Sequence, residues 1–376
     1  MFLALREMRR AKVRFGLLTA AIGLLVFLIL SQQAIQDGLL TSFVGAIERQ
    51  SAPVLVFSVD GQRTLQGSVI PPPLEQTVRG VEGLADAGRI GQGTFTVRVE
   101  GRDDDSDAAI IGYERPDLGA PEPLSEGRMP SAAGEAIASA SDFALGDRVH
   151  VLPGGTAGGA AEVLTVVGLA EDAQLQVTPT LFAAWEDYVA AVQTANPDAT
   201  TVLPSVLGVR PAHGVAPEEL VRRIDAASGD AEALTRQSAA EKAPGVAEVR
   251  QSFRIVFLLY ALVVPLVTGL FFLIVTFQKS ASLTLLRALG AQSGVLVRSL
   301  LLQVVLVVGG GIALGVGLYA PLSRVRLGDV ALRFDAGAVG LWALLLLTLA
   351  LLSSIVAARR VLAIDPIEAT TGAGGR

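Results

Sequence analysis

The stretch FGLLTAAIGLLVFLILSQQAIQ at residues 15–36 contains no charged side chain, and it exceeds the roughly 20 residues that an α-helix needs to cross a bilayer. Three further uncharged apolar runs lie together near the C-terminal end, at 255–277, 299–323 and 336–358. The polar, turn-rich residues between the first and second runs, 37–253, are numerous enough for a folded domain with its own core. The sequence therefore predicts a membrane protein with four transmembrane α-helices in a 1+3 arrangement. A large α+β extracytoplasmic domain is inserted between helices 1 and 2.

The composition agrees with a membrane class and excludes several kinds of site. The chain of 376 residues is 51% hydrophobic, with a mean hydropathy of +0.53, which is too apolar for an ordinary soluble domain. It contains no cysteine, so disulfides, thiolate metal sites and cysteine nucleophiles are excluded. The two histidines, His150 and His213, have no neighbours at ligand spacing, so we assign neither a catalytic nor a metal-binding role.

Two other polar patterns are better explained by turns than by sites. The four carboxylates of DDDSD at 103–107 lack the spacing and the closing Glu of a calcium-binding loop, which favours a solvated hairpin tip. The Gly-rich segment 153–162 has no GK[ST] and opens no helix, so it predicts a flexible turn and not a phosphate cradle.

The charges predict the orientation. Short basic loops mark the cytoplasmic side, and the first 14 residues carry five basic side chains against one acidic side chain. Lys279 and Arg287 in the next short loop, and Arg359 and Arg360 in the tail, have the same sign. The insert has 31 acidic and 15 basic residues, a net charge of −16. We therefore expect a multi-pass plasma-membrane protein with both termini cytoplasmic.

The predicted segments follow from these runs and charges. In chain order they are an amphipathic cytoplasmic helix at 1–14, helix 1 at 15–36, the extracytoplasmic domain at 37–253, helix 2 at 254–277, a cytoplasmic loop at 278–294, helix 3 at 295–323, an outer loop at 324–335, helix 4 at 336–358 and a cytoplasmic tail at 359–376. Within the insert, alternating and apolar patterns predict strands at 53–61, 93–101, 108–117, 161–172 and 200–211. Helices are predicted at 178–193, capped by Thr178, and from Pro217 onward, so the domain should be mixed α+β with two lobes.

The loop at 278–294 contains the most informative short pattern, LTLLRALGA. Leu283, Leu286 and Leu289 recur at helical spacing, Arg287 lies between them, and Gly290 is placed as a C-cap. The residues alone leave two interpretations open: an amphipathic helix suited to the groove of a partner protein, or a simple inner loop.

This pattern resembles the E-I-G-l-l-R-A-l-G-A segment of the MacB/FtsX-like ABC transporter permease family. The tail AARRVLAIDPIEAT (357–370) resembles that family's closing A-x-R-x-x-x-i-D-P-i-E-A-L. In the insert, LSEGRMPSAAGEAIASASDFALGDRVHVL (124–152) followed by TVVGLAED (165–172) resembles its extracytoplasmic core. The opening 18 residues look like the HrtB/DevC-type exporter subgroup. The chain departs from the pattern where the family has a Glu before I-G, because Ser280 to Thr284 contains no acid, and where Thr370 replaces the final Leu.

The resemblance implies a permease subunit that works with other proteins. Such chains form homodimers in membrane lipid, with two copies of a separate ABC ATPase subunit bound to the coupling helix, here Leu283, Leu286, Arg287, Leu289 and Gly290. No Walker A motif is present, so this chain should not be an enzyme, and ATP with Mg²⁺ should bind the partner. We expect no cofactor in the chain itself and no nucleic-acid partner.

The same resemblance implies two alternative activities. The first is mechanotransmission-type export of a hydrophobic or amphipathic substrate, for which haem, a lipid and an antibiotic peptide are candidates. The alternative is an FtsX-like signal transmitter that moves nothing and activates an extracellular cell-wall hydrolase.

Six further residues are functional candidates, three for a hinge or for helix packing and three for substrate contact. Pro265, midway along helix 2, is either a hinge or a static kink. Gly311 and Gly315, four residues apart, predict close helix packing, either at a dimer seam or within the chain.

The candidate substrate residues are Glu48, Tyr260 and Tyr319, near the outer membrane ends. They would be the available ligands if haem were the cargo. The alternative roles are interfacial anchoring for the tyrosines and simple solvation for Glu48.

Overall fold

The computed structural model describes residues 11–102, 104–154, 162–278, 293–322, 326–327, 330–331 and 336–362. The chain forms two compact units: a helical unit of Met1–Gly38 with Gln251–Arg376, and an α/β unit of Leu39–Arg250. The helices are α1 (Lys12–Glu48), α2 (Pro72–Arg79), α3 (Trp185–Ala195), α4 (Pro217–Ala227), α5 (Arg236–Glu241), α6 (Val246–Gln278), α7 (Ser293–Leu322) and α8 (Ala336–Leu362). The strands are β1 (Val54–Ser58), β2 (Leu84–Val99), β3 (Asp105–Tyr113), β4 (Glu126–Gly127), β5 (Glu135–Ser139), β6 (Arg148–Val151), β7 (Glu162–Ala170), β8 (Thr180–Ala184), β9 (Val206–Pro211), β10 (Ala231–Thr235), β11 (Arg326–Leu327) and β12 (Val330–Ala331).

The first lobe of the α/β unit is a four-stranded antiparallel sheet in the order β10-β1-β9-β2. Helix α2 connects β1 to β2, and α4 connects β9 to β10, which is a ferredoxin-like split β-α-β arrangement. Both helices begin with proline, as the sequence predicts for Pro217. Their apolar faces, carrying Leu74, Val78, Leu220 and Ile224, are buried against the sheet.

The second lobe is inserted between β2 and β9 and closes on itself. Strands β2, β3, β8, β5, β7 and β6 pair in succession, and β6 returns to the last residues of β2. A ring of paired strands leaves few open edges, and its interior is filled by a separate apolar cluster. Phe95, Val97, Ile110 and Leu181 belong to that cluster, with Tyr188 of α3 packed on it. The insert is thus mixed α+β with two lobes.

The helix predicted at 178–193 is wrong in its first half. Residues Thr180–Ala184 form β8, which pairs in parallel with β3 and in antiparallel with β5, and the helix begins only at Trp185. The segment TLFAA is almost entirely buried, and a central strand position in the sheet outweighs local helix propensity there. The predicted cap is also wrong, because Ala184 occupies the N-cap.

The carboxylates at 103–107 do not form a hairpin tip throughout. Asp105 and Asp107 lie inside β3, where Arg98 Nε donates to Asp105 Oδ1 at 2.7 Å and Thr96 Oγ1 bonds to Asp107 Oδ1 at 3.2 Å across the hairpin. The turn precedes them, at Glu100 to Arg102. Cross-strand pairing therefore accounts for two of the four acids, and Asp103 lies outside the described residues.

In the helical unit, α1, α6, α7 and α8 share one apolar core. Ile22 and Ile29 of α1, Val264 of α6, Val308 of α7 and Ala350 of α8 are all buried in it. Large apolar side chains are also exposed along every one of these helices, including Leu24, Leu258, Leu262, Leu266, Leu318, Leu344 and Leu352. An apolar exterior around an apolar core suits a lipid environment.

Three helices within the described residues are long and apolar enough to cross a membrane: Lys12–Glu48, Val297–Leu322 and Val339–Val356. The predicted second span falls in α6, one continuous helix from Val246 to Gln278. The full four-span topology stays a prediction.

Candidate functional site

The two predicted packing glycines lie against α1 of the same chain. A Cβ on Gly315 would stand 2.7 Å from the Gly23 carbonyl oxygen, and a Cβ on Gly311 would stand 2.6 Å from Ile22 Cγ2. Leu314, between them, packs reciprocally on Gly23. Small residues thus let the α1 and α7 backbones approach closely. We call this contact the α1–α7 seam. Both glycines therefore pack against a helix of the same chain.

A polar and aromatic cluster joins α1, α6 and α8 near residue 33 of α1. Trp342 Nε1 donates to Gln33 Oε1 at 2.7 Å, so a polar pair is satisfied inside an apolar bundle. Phe257 packs on Trp342 with ring centroids 5.6 Å apart and on Tyr260 at 6.4 Å. The predicted Tyr260 is therefore part of an aromatic stack. Neither Gln33 nor Trp342 was among the predicted residues, although an amide within an otherwise apolar run is a usable signal.

Tyr319 is only 2% exposed and interacts electrostatically with Asp37, about one turn along α1 from Gln33. A buried, partnered phenol is suited to fixing helix positions more than to open ligand contact. Glu48 is the exposed last residue of α1 and lies in the α/β unit, where it interacts electrostatically with Arg250 and Arg49.

The predicted coupling residues Leu283, Leu286, Arg287, Leu289 and Gly290 lie outside the described residues. Helix α6 runs unbroken through Pro265, so the proline lies within a continuous helix. Its hinge role stays a prediction.

The end of α1 that lies in the α/β unit is hydrogen-bonded to the segment between β7 and β8. We call residues 171–178 the gripping loop. Ala46 N–H donates to the Gln174 carbonyl at 2.8 Å, while loop N–H groups donate to the carbonyls of Phe43 and Ser42, at 3.0 and 2.8 Å. Arg49 adds an ion pair to Asp172 at 2.8 Å. The helix is therefore held by backbone hydrogen bonds that do not depend on side-chain identity.

Two features make this contact sterically demanding. A Cβ at Gly45 would collide with the Asp172 carbonyl oxygen, so the position needs glycine. Asp172, Gln176 and Val177 all have positive φ, at 58°, 53° and 62°. For β-branched Val177 this conformation costs on the order of 1–3 kcal/mol. The surrounding hydrogen bonds hold the loop in that strained form.

A carboxylate network supports the gripping loop from the second lobe. Asp142 Oδ2 accepts from Ser141 Oγ at 2.7 Å, and both Asp142 oxygens accept from Gln174 Nε2 at 3.0 Å. Ser139 Oγ also donates to Asp142 and accepts from Thr180 N–H. The segment ASASDF, part of the core pattern in the insert, thus positions the loop that holds α1.

The arginine and the glutamate of the G-R-x-P…G-E part of that core pattern form an ion pair. Arg128 binds Glu135 through two nitrogens, one of them Nη1 at 2.7 Å from Oε2, and the N–H of Ser131 donates to the same carboxylate at 2.8 Å. The hydrogen bond from Arg128, followed by that of Ser131, lowers the pKa of Glu135 to about 2. These residues close a turn and form no open site.

A recess lies within the α/β unit beside the gripping loop. Its cavity volume is about 30 Å³, which is room for about one water molecule. Its apolar lining includes Phe43, Ile47 and Leu175, and Gln92 supplies a polar group. In the described residues no group of three or more His, Asp or Glu is placed to hold a metal ion.

Comparison with known proteins gives matches among solved structures. No protein-family model and no curated protein sequence matches the chain. Among solved structures, the periplasmic region of MacB from Actinobacillus actinomycetemcomitans aligns with a TM-score of 0.36 and 11% identity, covering 52% of this chain and 95% of that one. The extracellular domain of the noncanonic ABC-type transporter YknZ from Gram-positive bacteria aligns at 0.31 and 13%, covering 48% and 99%. A domain of a putative permease from Porphyromonas gingivalis aligns at 0.29 and 16%, covering 49% and 89%.

Proposed function

We propose that this chain is the permease subunit of an ATP-driven ABC exporter of the mechanotransmission type, acting on a hydrophobic or amphipathic substrate. It works as a homodimer in the plasma membrane, with two copies of a separate ATPase subunit on the cytoplasmic side. ATP and Mg²⁺ bind that partner, because this chain has no Walker A motif.

The observation that carries the proposal is the order of segments along the chain. One apolar helix precedes a self-contained α/β unit, and further apolar helices follow it, with LTLLRALGA between the second and third apolar runs. A short amphipathic segment in a basic loop is suited to binding in a groove of the ATPase subunit.

The contacts within each unit support a mechanical role. In the helical unit, the α1–α7 seam and the Trp342–Gln33 bond fix helices to one another. In the α/β unit, the gripping loop holds the end of α1 by backbone hydrogen bonds. Helices α1 and α6 each have residues in both units. A displacement along either helix would therefore be passed to the α/β unit.

The alternative is a signal transmitter of the FtsX-like kind, whose α/β unit would act on a cell-wall hydrolase. The two-lobed insert favours export, because it is larger than the inserts of FtsX-like proteins. The candidate cargoes are haem, a lipid and an antibiotic peptide. Of the three residues predicted to contact the cargo, Tyr260 and Glu48 stay in the proposal, whereas Tyr319 is buried and is not proposed as a contact.

The test is to co-purify the chain with an ABC ATPase subunit from the same cells and to measure ATP hydrolysis. We expect a complex whose activity rises with an amphipathic substrate in proteoliposomes. Replacing Arg287 with Glu, or Leu286 with Asp, should dissociate or uncouple it, while Arg298→Glu is the matched control outside the coupling segment. Full coupling in both coupling variants would contradict the docking proposal. A complex that hydrolyses ATP but moves no candidate substrate would favour signalling.

A further inference from the structure

We propose that α6 binds an anionic phospholipid, with Arg254 on the headgroup phosphate and one acyl chain along a row of exposed apolar side chains below it. The proposal concerns residues of the helical unit alone. It rests on the predicted second span and does not depend on whether the chain exports a substrate.

One face of α6 carries a continuous apolar row. After Arg254 a leucine or isoleucine recurs at every fourth residue, and side chains at this spacing are neighbours on one face of a helix. Their exposed fractions lie between 46% and 66%, so other helices of the described chain leave this face open. We call these residues the α6 row: Leu258, Leu262, Leu266, Leu270 and Ile274.

The length of the α6 row fits the apolar part of a bilayer. At 1.5 Å per residue, Arg254 and Ile274 are about 30 Å apart along the helix axis, which is the thickness of a typical hydrocarbon core. Arg254 would then lie at the level of the lipid headgroups. An acyl chain that fills one leaflet, about 15 Å, would pass Leu258 and Leu262.

The cation at the head of the row lacks a counter-ion. Arg254 is exposed, and its guanidinium has no ion-pair or hydrogen-bond partner among the described residues. Asp37 is the only acidic residue in the described part of the helical unit, and it interacts electrostatically with Tyr319. A guanidinium binds a phosphate through two parallel N–H groups, and its long stem can lie on apolar surface. An external phosphate would therefore supply the missing negative charge.

A second copy of the chain fits this row less well than a lipid. At a two-fold interface, a residue near the axis meets the same residue of the other copy. Two Arg254 side chains would then approach each other, and α6 has no Asp or Glu between residues 251 and 278 to separate them. Like charges repel more strongly at the edge of a low-dielectric membrane than in water. A phospholipid supplies both the apolar chain and the opposite charge.

The net charge of the headgroup decides between phospholipids. In phosphatidylcholine the choline neutralises the phosphate, whereas phosphatidylglycerol keeps a net negative charge. One arginine near an anionic lipid surface contributes about 1 kcal/mol. The preference should therefore be for phosphatidylglycerol, and it should weaken at high salt, because an exposed charge is screened.

The test measures which lipid lies beside the α6 row. The chain has no cysteine, so Leu258→Cys can be labelled at one position with a bimane fluorophore, one turn from Arg254. The labelled full chain is placed in vesicles of phosphatidylcholine and phosphatidylglycerol. A trace of either lipid then carries a doxyl spin label near the headgroup, which quenches the fluorophore on contact. Because the host vesicles are identical, the ratio of quenching gives the relative affinity of the two lipids.

We expect about fivefold stronger association of phosphatidylglycerol, the ratio produced by roughly 1 kcal/mol. Arg254→Gln should abolish this preference, and it should fold because it removes an exposed side chain without a partner. Lys242→Gln removes the same charge from an exposed position of the α/β unit and should keep the preference. Equal quenching by the two lipids in the parent would overturn the proposal, as would an unchanged preference in Arg254→Gln. Quenching by neither lipid would also overturn it, because a protein surface would then cover the row.

Discussion

The α1–α7 seam predicts that Gly315→Ala destabilises the helical unit whereas Gly317→Ala does not. The new Cβ at 315 would lie 2.7 Å from the Gly23 carbonyl oxygen and 2.7 Å from Val26 Cβ, so the two helices must separate by several tenths of an ångström. Overpacking of this kind costs about 1–3 kcal/mol. At Gly317 nothing lies within 4 Å of the added atom, and replacing a helical glycine with alanine gains up to about 1 kcal/mol. The two substitutions should therefore change the free energy of unfolding in opposite directions.

The assay uses the two tryptophans of the chain, one in each unit. Replacing Trp185 with Phe leaves Trp342, in the helical unit, as the single reporter. Thermal unfolding followed by its fluorescence in detergent should show a lower midpoint for Gly315→Ala than for the parent. Gly317→Ala should have an equal or higher midpoint. Equal midpoints for both variants would refute the close approach of α1 and α7.

Three other predictions concern single contacts. Glu135→Gln should reduce the stability of the α/β unit at pH 7, because the pKa of Glu135 is about 2 in the folded chain and about 4.3 in an unfolded one. Its stabilisation is complete above the unfolded value and lost as the pH falls toward 2, so urea unfolding of variant and parent should converge in acid; a difference that persists at pH 2 would contradict this. Gly45→Ala should cost about 1–3 kcal/mol through the collision with the loop carbonyl, whereas Gly229→Ala, with open space around it, should stay within about 0.5 kcal/mol in the same assay. Gln33→Leu should cost about 0.6–2 kcal/mol by leaving the Trp342 N–H unpaired; no coupling between Gln33→Leu and Trp342→Phe in a double-mutant cycle would contradict the bond.

Periodicity in the sequence predicts the long apolar helices. The uncharged runs at 15–36, 255–277 and 336–358 fall within α1, α6 and α8, and the run that begins at 299 lies in α7 as far as Leu322. The predicted segment bounds stay predictions. Long apolar runs are informative because each residue contributes to the same signal. Pro217 likewise indicated a helix start, since its fixed φ suits the first turn.

Long-range pairing explains what the sequence could not predict. The segment Thr180–Ala184 has no strand alternation, because β8 is buried on both faces between β3 and β5. The gripping loop depends on backbone bonds between residues more than 120 positions apart. No local pattern encodes those partners. Gly45 gave no signal for the same reason, since its role depends entirely on the Asp172 carbonyl beside it.

The central claim is that residues 278–294 lie in the cytoplasm and bind a separate ATPase subunit. The native chain has no cysteine, so single cysteines can be introduced without a background signal. In intact cells, a membrane-impermeant maleimide should label Asp198→Cys in the insert and should label Arg287→Cys only after the membrane is permeabilised. Labelling of Arg287→Cys from outside intact cells would contradict the topology and, with it, the proposed docking of an ATPase.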